Sequence, residues 1–224
     1  MLTKTCEETA MLKHLCGGNR LTLIEGKRSC QTLFDFYSSL ARHGQRFNDS
    51  LESQIEAARR AFPPRGLPDH CICVSHRRRV ALNRIMEKRH LRAERPPETQ
   101  VIPKTDQKCD VEPQKMTIWP GVVLVASMRE CHNGAYNSQM LRVKSLGEKI
   151  EFECLESGRG YQLSPEFVQK WLRPSWALVY HQLQGRTMER TLELHDLTHP
   201  RLTTTHLLVA LSRARSASQV WLAA

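Results

Sequence analysis

The sequence has no apolar run long enough to cross a bilayer, so a membrane-spanning helix is not expected. Its first residues lack the basic, apolar and small-residue order of a secretory signal, and an intracellular location is expected. It also has no CxxC pair. The eight cysteines (Cys6, Cys16, Cys30, Cys71, Cys73, Cys109, Cys131 and Cys154) are scattered. That spacing argues against a disulfide framework and points to free thiols, several of them buried. Internal repeats and low-complexity tracts are missing too. An apolar share of 40% is enough for a core, which excludes disorder of the whole chain.

One local group has metal-ligand chemistry: His70, Cys71, Cys73 and His76. Cys71-Ile72-Cys73-Val74 reads as a strand, on which alternate residues share a face. Cys71 and Cys73 then point one way, and His70 and His76 the other. A structural zinc needs four converging ligands, so no metal is expected on this set.

What is present in excess is positive charge. Lys plus Arg is 33 and Asp plus Glu is 23, for a net charge of +10. Such a surplus suits a polyanionic partner, nucleic acid above all, although a basic soluble protein without one has the same composition.

The length of 224 residues suits one medium domain with an insertion. Leu21 to Ile24 reads as a short strand, Gln31 to Leu40 as a helix, and Leu51 to Phe62 as another stopped by Pro63-Pro64. His70 to Val74 followed by an apolar-periodic stretch over 78–90 is strand, turn, helix, the unit of a parallel sheet. Arg95 to Pro113 holds four prolines and reads as a linker or long loop. Residues 118–163 change style. Val122 to Ala126, Met140 to Val143 and Ile150 to Cys154 are short strands, and Ile150, Phe152 and Cys154 alternate with Glu151 and Glu153 as on a half-buried antiparallel strand. Pro165 opens a helix through Leu172. Trp176 to Tyr180 and Leu192 to Leu194 read as strands, Thr203 to Arg215 as a helix capped by a threonine, and Ser218 to Leu222 as a closing strand.

Three segments stand out by order and spacing: Leu23-Ile24-Glu25-Gly26-Lys27-Arg28-Ser29, His181-Gln182-Leu183-Gln184-Gly185-Arg186-Thr187 directly after a strand, and Val209-Ala210-Leu211-Ser212-Arg213-Ala214 near a helix end. Val74-Ser75-His76, running into Arg79 and Asn83, is a fourth. A weaker fifth is Trp119-Pro120-Gly121 with the later Asn133-Gly134-Ala135-Tyr136-Asn137. Together they resemble the motifs of superfamily 1 helicases, in the branch with RecD-like and Dda-like enzymes. The stretch Ala210 to Ala214 fits that family's Ala-Leu-Ser/Thr-Arg-Ala pattern. In the pattern Ala-x-Thr-x-His-Lys-x-Gln-Gly-x-Thr, Ala177, His181, Gln184, Gly185 and Thr187 match, while Val179 replaces the Thr and Gln182 the Lys.

The resemblance implies an α/β fold: a RecA-like parallel sheet flanked by helices, with a small SH3-like antiparallel β insertion. It implies a second RecA-like domain over 21–112 and 164–224, the insertion over 113–163, and in 1–20 a remnant of the first motor domain or an extension. Arg28 and Arg213 would reach the γ-phosphate of ATP. Gln184 and Gly185 would couple nucleotide to DNA. Ser75, His76, Arg79, Asn83, His181 and Thr187 would contact single-stranded DNA. Singly, each has a plainer reading: Arg213 as a solvated cation at a helix C-terminus, Arg28 as half of a surface pair with Lys27, His181 as a packed or exposed histidine. The run Arg77-Arg78-Arg79 opposes the helix dipole at a helix start, which hints at phosphates as its partner.

The phosphate loop, Gly-x-x-x-x-Gly-Lys-Ser/Thr, is not found. At Gly26-Lys27 the first glycine position is Leu21 and the Ser/Thr position is Arg28. No apolar strand ends in Asp-Glu, and Leu194-His195-Asp196 does not qualify. ATP and Mg2+ are therefore expected only in complex with a chain or domain carrying Walker A and Walker B motifs, and no ATPase is expected from this chain alone. The other readings are a stand-alone nucleic-acid-binding module and a helicase fragment without function.

Overall fold

The computed structural model describes residues 29–43, 50–107, 109, 111–128 and 131–223. The strand expected at Leu21 to Ile24, the 1–20 remnant and Arg28 lie outside them. Helices α1 (Gln31–His43) and α2 (Leu51–Ala61) precede strand β1 (His70–Cys73) and the long helix α3 (His76–Glu94). An antiparallel region follows: β2 (Gln100–Ile102), β3 (Met116–Ile118), β4 (Val123–Ala126), β5 (Met140–Ser145), β6 (Ile150–Cys154), β7 (Gly160–Leu163), α4 (Pro165–Trp171) and β8 (Leu172–Pro174). The chain then returns through β9 (Ala177–Val179), a 3-10 turn (Tyr180–Leu183), β10 (Leu192–Leu194), α5 (Thr204–Leu211) and β11 (Val220–Leu222).

Four strands form a parallel sheet in the order β11-β10-β1-β9. They are short and mostly apolar because both faces are largely covered, with Glu193 of β10 as a charged exception. Ile72, Leu178, Leu192, Leu194, Val220 and Leu222 join one core with α1, α2 and α5, through Leu33, Ile55, Phe62, Leu207 and Leu211. Cys71, Cys73, Ala177 and Val179 share another core with Leu82 and Met86 of α3. That second core runs without a break into the antiparallel region through Trp119, Phe152 and Trp176. The parallel sheet with flanking helices is the expected α/β architecture.

The antiparallel region is a five-stranded sheet, β7-β6-β5-β4-β8, beside the ribbon β2-β3. Its strand pairing reaches past both expected bounds of 113 and 163. Gln100 to Ile102 pairs with β3, so part of the expected linker is a strand with Ile102 buried. Leu172 to Pro174 pairs with β4. Three-residue strands among prolines carry too little periodicity to read. Trp119 fastens the region to α3: its indole N–H donates to Glu94 at 2.8 Å, and its ring lies against Trp176, itself stacked on His90. Buried Arg173 donates to the carbonyls of Val111, Glu112, Gln169, Lys170 and Leu172.

Candidate nucleic-acid and nucleotide edge

In an open parallel sheet, ligands bind beyond the carboxyl ends of the strands. Here β1, β9 and β10 end at Cys73, Val179 and Leu194, and the next residues of each chain segment meet at one edge. Ser75 and His76 follow β1, His181 to Thr187 follow β9, and Asp196 follows β10. Of the described residues assigned to DNA or nucleotide, Ser75, His76 and His181 lie at this edge; the Gln184 loop leads from it towards the start of β10, where the Met188–Ala214 bridge brings it beside Arg213, and Arg79 and Asn83 lie inside the protein.

Asp196 organises the edge, although in the sequence it stood out only as a failed match to an Asp-Glu strand end. The residue holds φ at 59°, a left-handed turn that Asp tolerates. Its Oδ2 accepts from the N–H groups of Val74 (3.0 Å) and Ser75 (3.1 Å) and from the Ser75 hydroxyl (3.2 Å). The Arg78 Nε lies 3.9 Å from Oδ1. A carboxylate thus sits at the positive end of α3, where an anion is favoured. Ser75 also caps the helix, its Oγ accepting from Arg78 N at 3.2 Å. The Ser75 hydroxyl is therefore engaged inside the protein, as cap and as donor to Asp196. The signal for Asp196 was a lone Asp after a strand, which is too common to carry a role.

His76 and His181 face each other edge to face, with ring centroids 6.1 Å apart. Burial lowers both pKa values; Arg79 and His181 add to the effect at His76, and His206 at His181. Both rings are neutral at pH 7 in consequence. The His76 Nδ1 is buried and has no hydrogen-bond partner among the described residues.

Gln184 and Gly185 are exposed. Gly185 has φ of 81°, which lets the chain reverse between the 3-10 turn and Arg186. The loop then runs against the end of α5: Met188 N donates to the Arg213 carbonyl at 2.8 Å, and Arg213 Nη1 donates to the Arg186 carbonyl at 3.4 Å. Half-buried Arg213 also donates to Val209 O (3.3 Å) and to Ser212 Oγ from Nε (3.2 Å) and Nη2 (3.0 Å). Thr187 lies half-buried in the same loop. The helix expected to continue to Arg215 stops at Leu211, where the Ser212 hydroxyl donates to Val209 O at 3.0 Å. That early stop turns Arg213 towards the Gln184 loop. Cys30 N donates to Arg215 O at 2.7 Å, so the described residues after Arg28 lie along the segment after Arg213.

Two expected DNA contacts, Arg79 and Asn83, are instead inside the protein. With Leu82 and Met86 they form the helix stripe that packs on the sheet. Arg79 is 1% exposed and donates to Glu112 O at 3.0 Å. Burial, then Arg173, brings its pKa down to about 10. Asn83 is fully buried, donating to Ala177 O (3.3 Å) and accepting from Ala177 N (2.8 Å). Gln182 acts in the same way, its Oε1 accepting from Val179 N at 3.1 Å. β9 is an edge strand, and two side-chain amides close its open side. Gln182 stands at the Lys position of the resembled motif and is buried in this structural task.

No family model matches this sequence, and no curated protein matches it. Solved structures do. A structure of two coordinating Pif1 helicases at forked duplex DNA aligns with a TM-score of 0.58 and 16% identity, over 89% of this chain and 48% of that one. Bacteroides Pif1 bound to single-stranded DNA aligns at 0.58 and 16%, over 88% and 50%. Candida albicans Pif1 helicase aligns at 0.56 and 14%, over 86% and 53%. The chain thus spans about half the length of the structures it matches. By fold, this chain is similar to the half of the Pif1 helicase structures that it covers, an α/β domain with a parallel sheet flanked by helices.

Proposed function

We propose that this chain is the C-terminal motor half of an ATP-dependent DNA helicase, and that the carboxyl edge of its parallel sheet is shared between single-stranded DNA and nucleotide. The meeting of the Gln184 loop with Arg213 carries this reading. A residue that senses the γ-phosphate and a loop that senses the strand must move together if hydrolysis is to drive translocation, and here they are joined by two hydrogen bonds.

In phosphoryl transfer the protein's task is to position the reactants and to place positive charge where the γ-phosphate oxygens change. Arginine suits this through its permanent charge and planar fork. Arg213, with Arg28, is assigned to the γ-phosphate, Gln184 and Gly185 to coupling, and His76, His181 and Thr187 to the DNA backbone. Ser75 is assigned to holding the start of α3 with Asp196. ATP and Mg2+ would be cradled by a domain with Walker A and Walker B motifs, whose loop this sequence does not contain. The Pif1 structures with single-stranded DNA, one of them also with ADP-AlF3, motivate the assignment.

The alternative is a nucleic-acid-binding module without motor action. The burial of Gln182 at the motif's Lys position favours it, because one phosphate contact is given up there. ATPase measurement separates the two. The chain alone should hydrolyse no ATP above background. Combined with its phosphate-loop domain it should, and Arg213→Ala should lower that rate by roughly 10³-fold with single-strand affinity nearly unchanged. Robust hydrolysis by the chain alone, or an unaltered rate in the Arg213 variant, would overturn the motor-half reading.

A further inference from the structure

The row of residues across the α3-facing side of the sheet runs Ala177, Cys71, Glu193 and Trp221 in register. Two residues beyond Glu193, on the same side of the extended chain, comes His195. Its backbone N–H continues the sheet by donating to Ile72 O at 2.7 Å. The result is a cluster that no spacing in the sequence shows. Cys71 Sγ, a Glu193 carboxylate oxygen and a His195 ring nitrogen all lie within 4.8 Å of one another. Cys71 and His195 are buried, and the Glu193 side chain is 23% exposed.

We propose that Cys71, Glu193 and His195 form a binding site for a thiophilic divalent cation of the zinc class, with a fourth position open to water beside Glu193. A sulfur, an imidazole nitrogen and a carboxylate oxygen are the donor types such an ion takes. Three protein ligands and one open position is an established arrangement for it. Tetrahedral ligation at about 2.0–2.3 Å requires the Glu193 and His195 atoms, now 2.9 Å apart, to part slightly around the ion. The strands hold Cys71 and Glu193 directly side by side.

The charge balance suits a divalent ion. Thiolate and carboxylate supply two negative charges, and the Cys71 thiol proton leaves to solvent as the ion enters. The His195 Nε2 lies 2.9 Å from Glu193 Oε2, at hydrogen-bond distance. Ligation through Nε2 needs the tautomer with its proton on Nδ1, in which the imidazole is neutral. Outside the ligands, the Trp221 side chain hydrogen-bonds to Glu193 and orients it. The charges of Arg89 and Arg78, both on α3, reach Cys71, and that of Arg89 also reaches Glu193; both oppose the cation. Arg78 lies beside Asp196, 3.9 Å from its Oδ1, and the two anionic ligands would touch the ion directly, so the site stays attractive. Cys73 takes no part: its Sγ is directed to the carbonyls of Leu178 and Ser75.

A bound ion would pin β1 to β10. These are the two strands whose carboxyl ends carry Ser75 and Asp196, so the site would stiffen the edge assigned to DNA. The inference itself rests on the three donors and stands whether or not that assignment holds.

Cobalt(II) titration of the reduced full chain tests it. One equivalent should give the near-ultraviolet thiolate-to-cobalt band with the intense visible bands of four-coordination, and zinc should displace it. Cys71→Ser should abolish the thiolate band, while Cys73→Ser and a Cys30→Ser/Cys131→Ser double variant retain it. Glu193→Gln keeps a partly exposed side chain of equal size, and it should weaken affinity at least tenfold even if the Cys71 variant fails to fold. No thiolate band in the parent chain would overturn the proposal. So would a band lost only with Cys30 and Cys131, or unchanged affinity in the Glu193 variant.

Discussion

The antiparallel region and the carboxyl edge of the parallel sheet treat polar groups in opposite ways. In the antiparallel region two large polar side chains are bonded inward. Gln139 donates to Cys154 and Tyr161, and Arg173 serves five backbone carbonyls. At the carboxyl edge Gln184 and Gly185 face solvent, and the His76 Nδ1 has no partner among the described residues. Polar groups that bond inward specify a fold, while groups left facing outward or unmatched are available to a ligand. The difference divides the arginines and amides of this chain by task more reliably than their type does.

The largest expected effect is on the inward-bonded side. Arg173→Leu removes the side-chain donor from five carbonyls, of which, among the described residues, only that of Glu112 keeps another, Arg79, and should cost about 4 kcal/mol of unfolding free energy, at the upper end of single substitutions, as read by urea denaturation. Single-strand affinity of the folded fraction should not change. An equal loss of DNA affinity would break the division between the two regions.

Asn83→Ala sharpens the same contrast. Removing the amide leaves both backbone groups of Ala177 unpaired in a buried position, which should cost about 2 kcal/mol. As a DNA contact Asn83 would instead lower affinity with stability intact, and that result would return it to the role its motif implies.

Asn83 also shows where the sequence was legible. The parallel sheet, its flanking helices and the position of the Gln184 loop could be read, because each rests on an apolar strand followed by an abrupt change in polarity. Residues whose role depends on a neighbour from another strand could not. A helix stripe of Arg79, Leu82, Asn83 and Met86 contains two polar residues, and motif resemblance assigned those two to DNA although helical period places them with the apolar pair. The roles of Asp196 and Glu193 could not be read because their partners, Ser75 and Cys71, lie more than a hundred positions away in the chain. Strands β2 and β8 escaped because three residues are too few to show alternation.

Acidity should move stability and binding in opposite directions, a smaller effect. His70, His76, His181 and His206 have folded pKa values below the ordinary 6.5, with burial as the leading cause. Between the folded and unfolded values the unfolded chain binds more protons. Their stabilising contribution is complete above 6.5 and is lost as pH falls through the lowered values. Protonated His76 and His181 would, however, attract phosphate, so single-strand affinity per folded molecule should rise as stability falls. Affinity that tracks stability downward would remove the two histidines from the interface.

Amide hydrogen exchange with and without a saturating thymidine oligonucleotide, at low salt, tests the shared edge most directly. The account predicts slowed exchange at 75–78 and 181–188, with 140–163 unchanged. Protection confined to the antiparallel strands, with the Gln184 loop as fast as in the free chain, would contradict it.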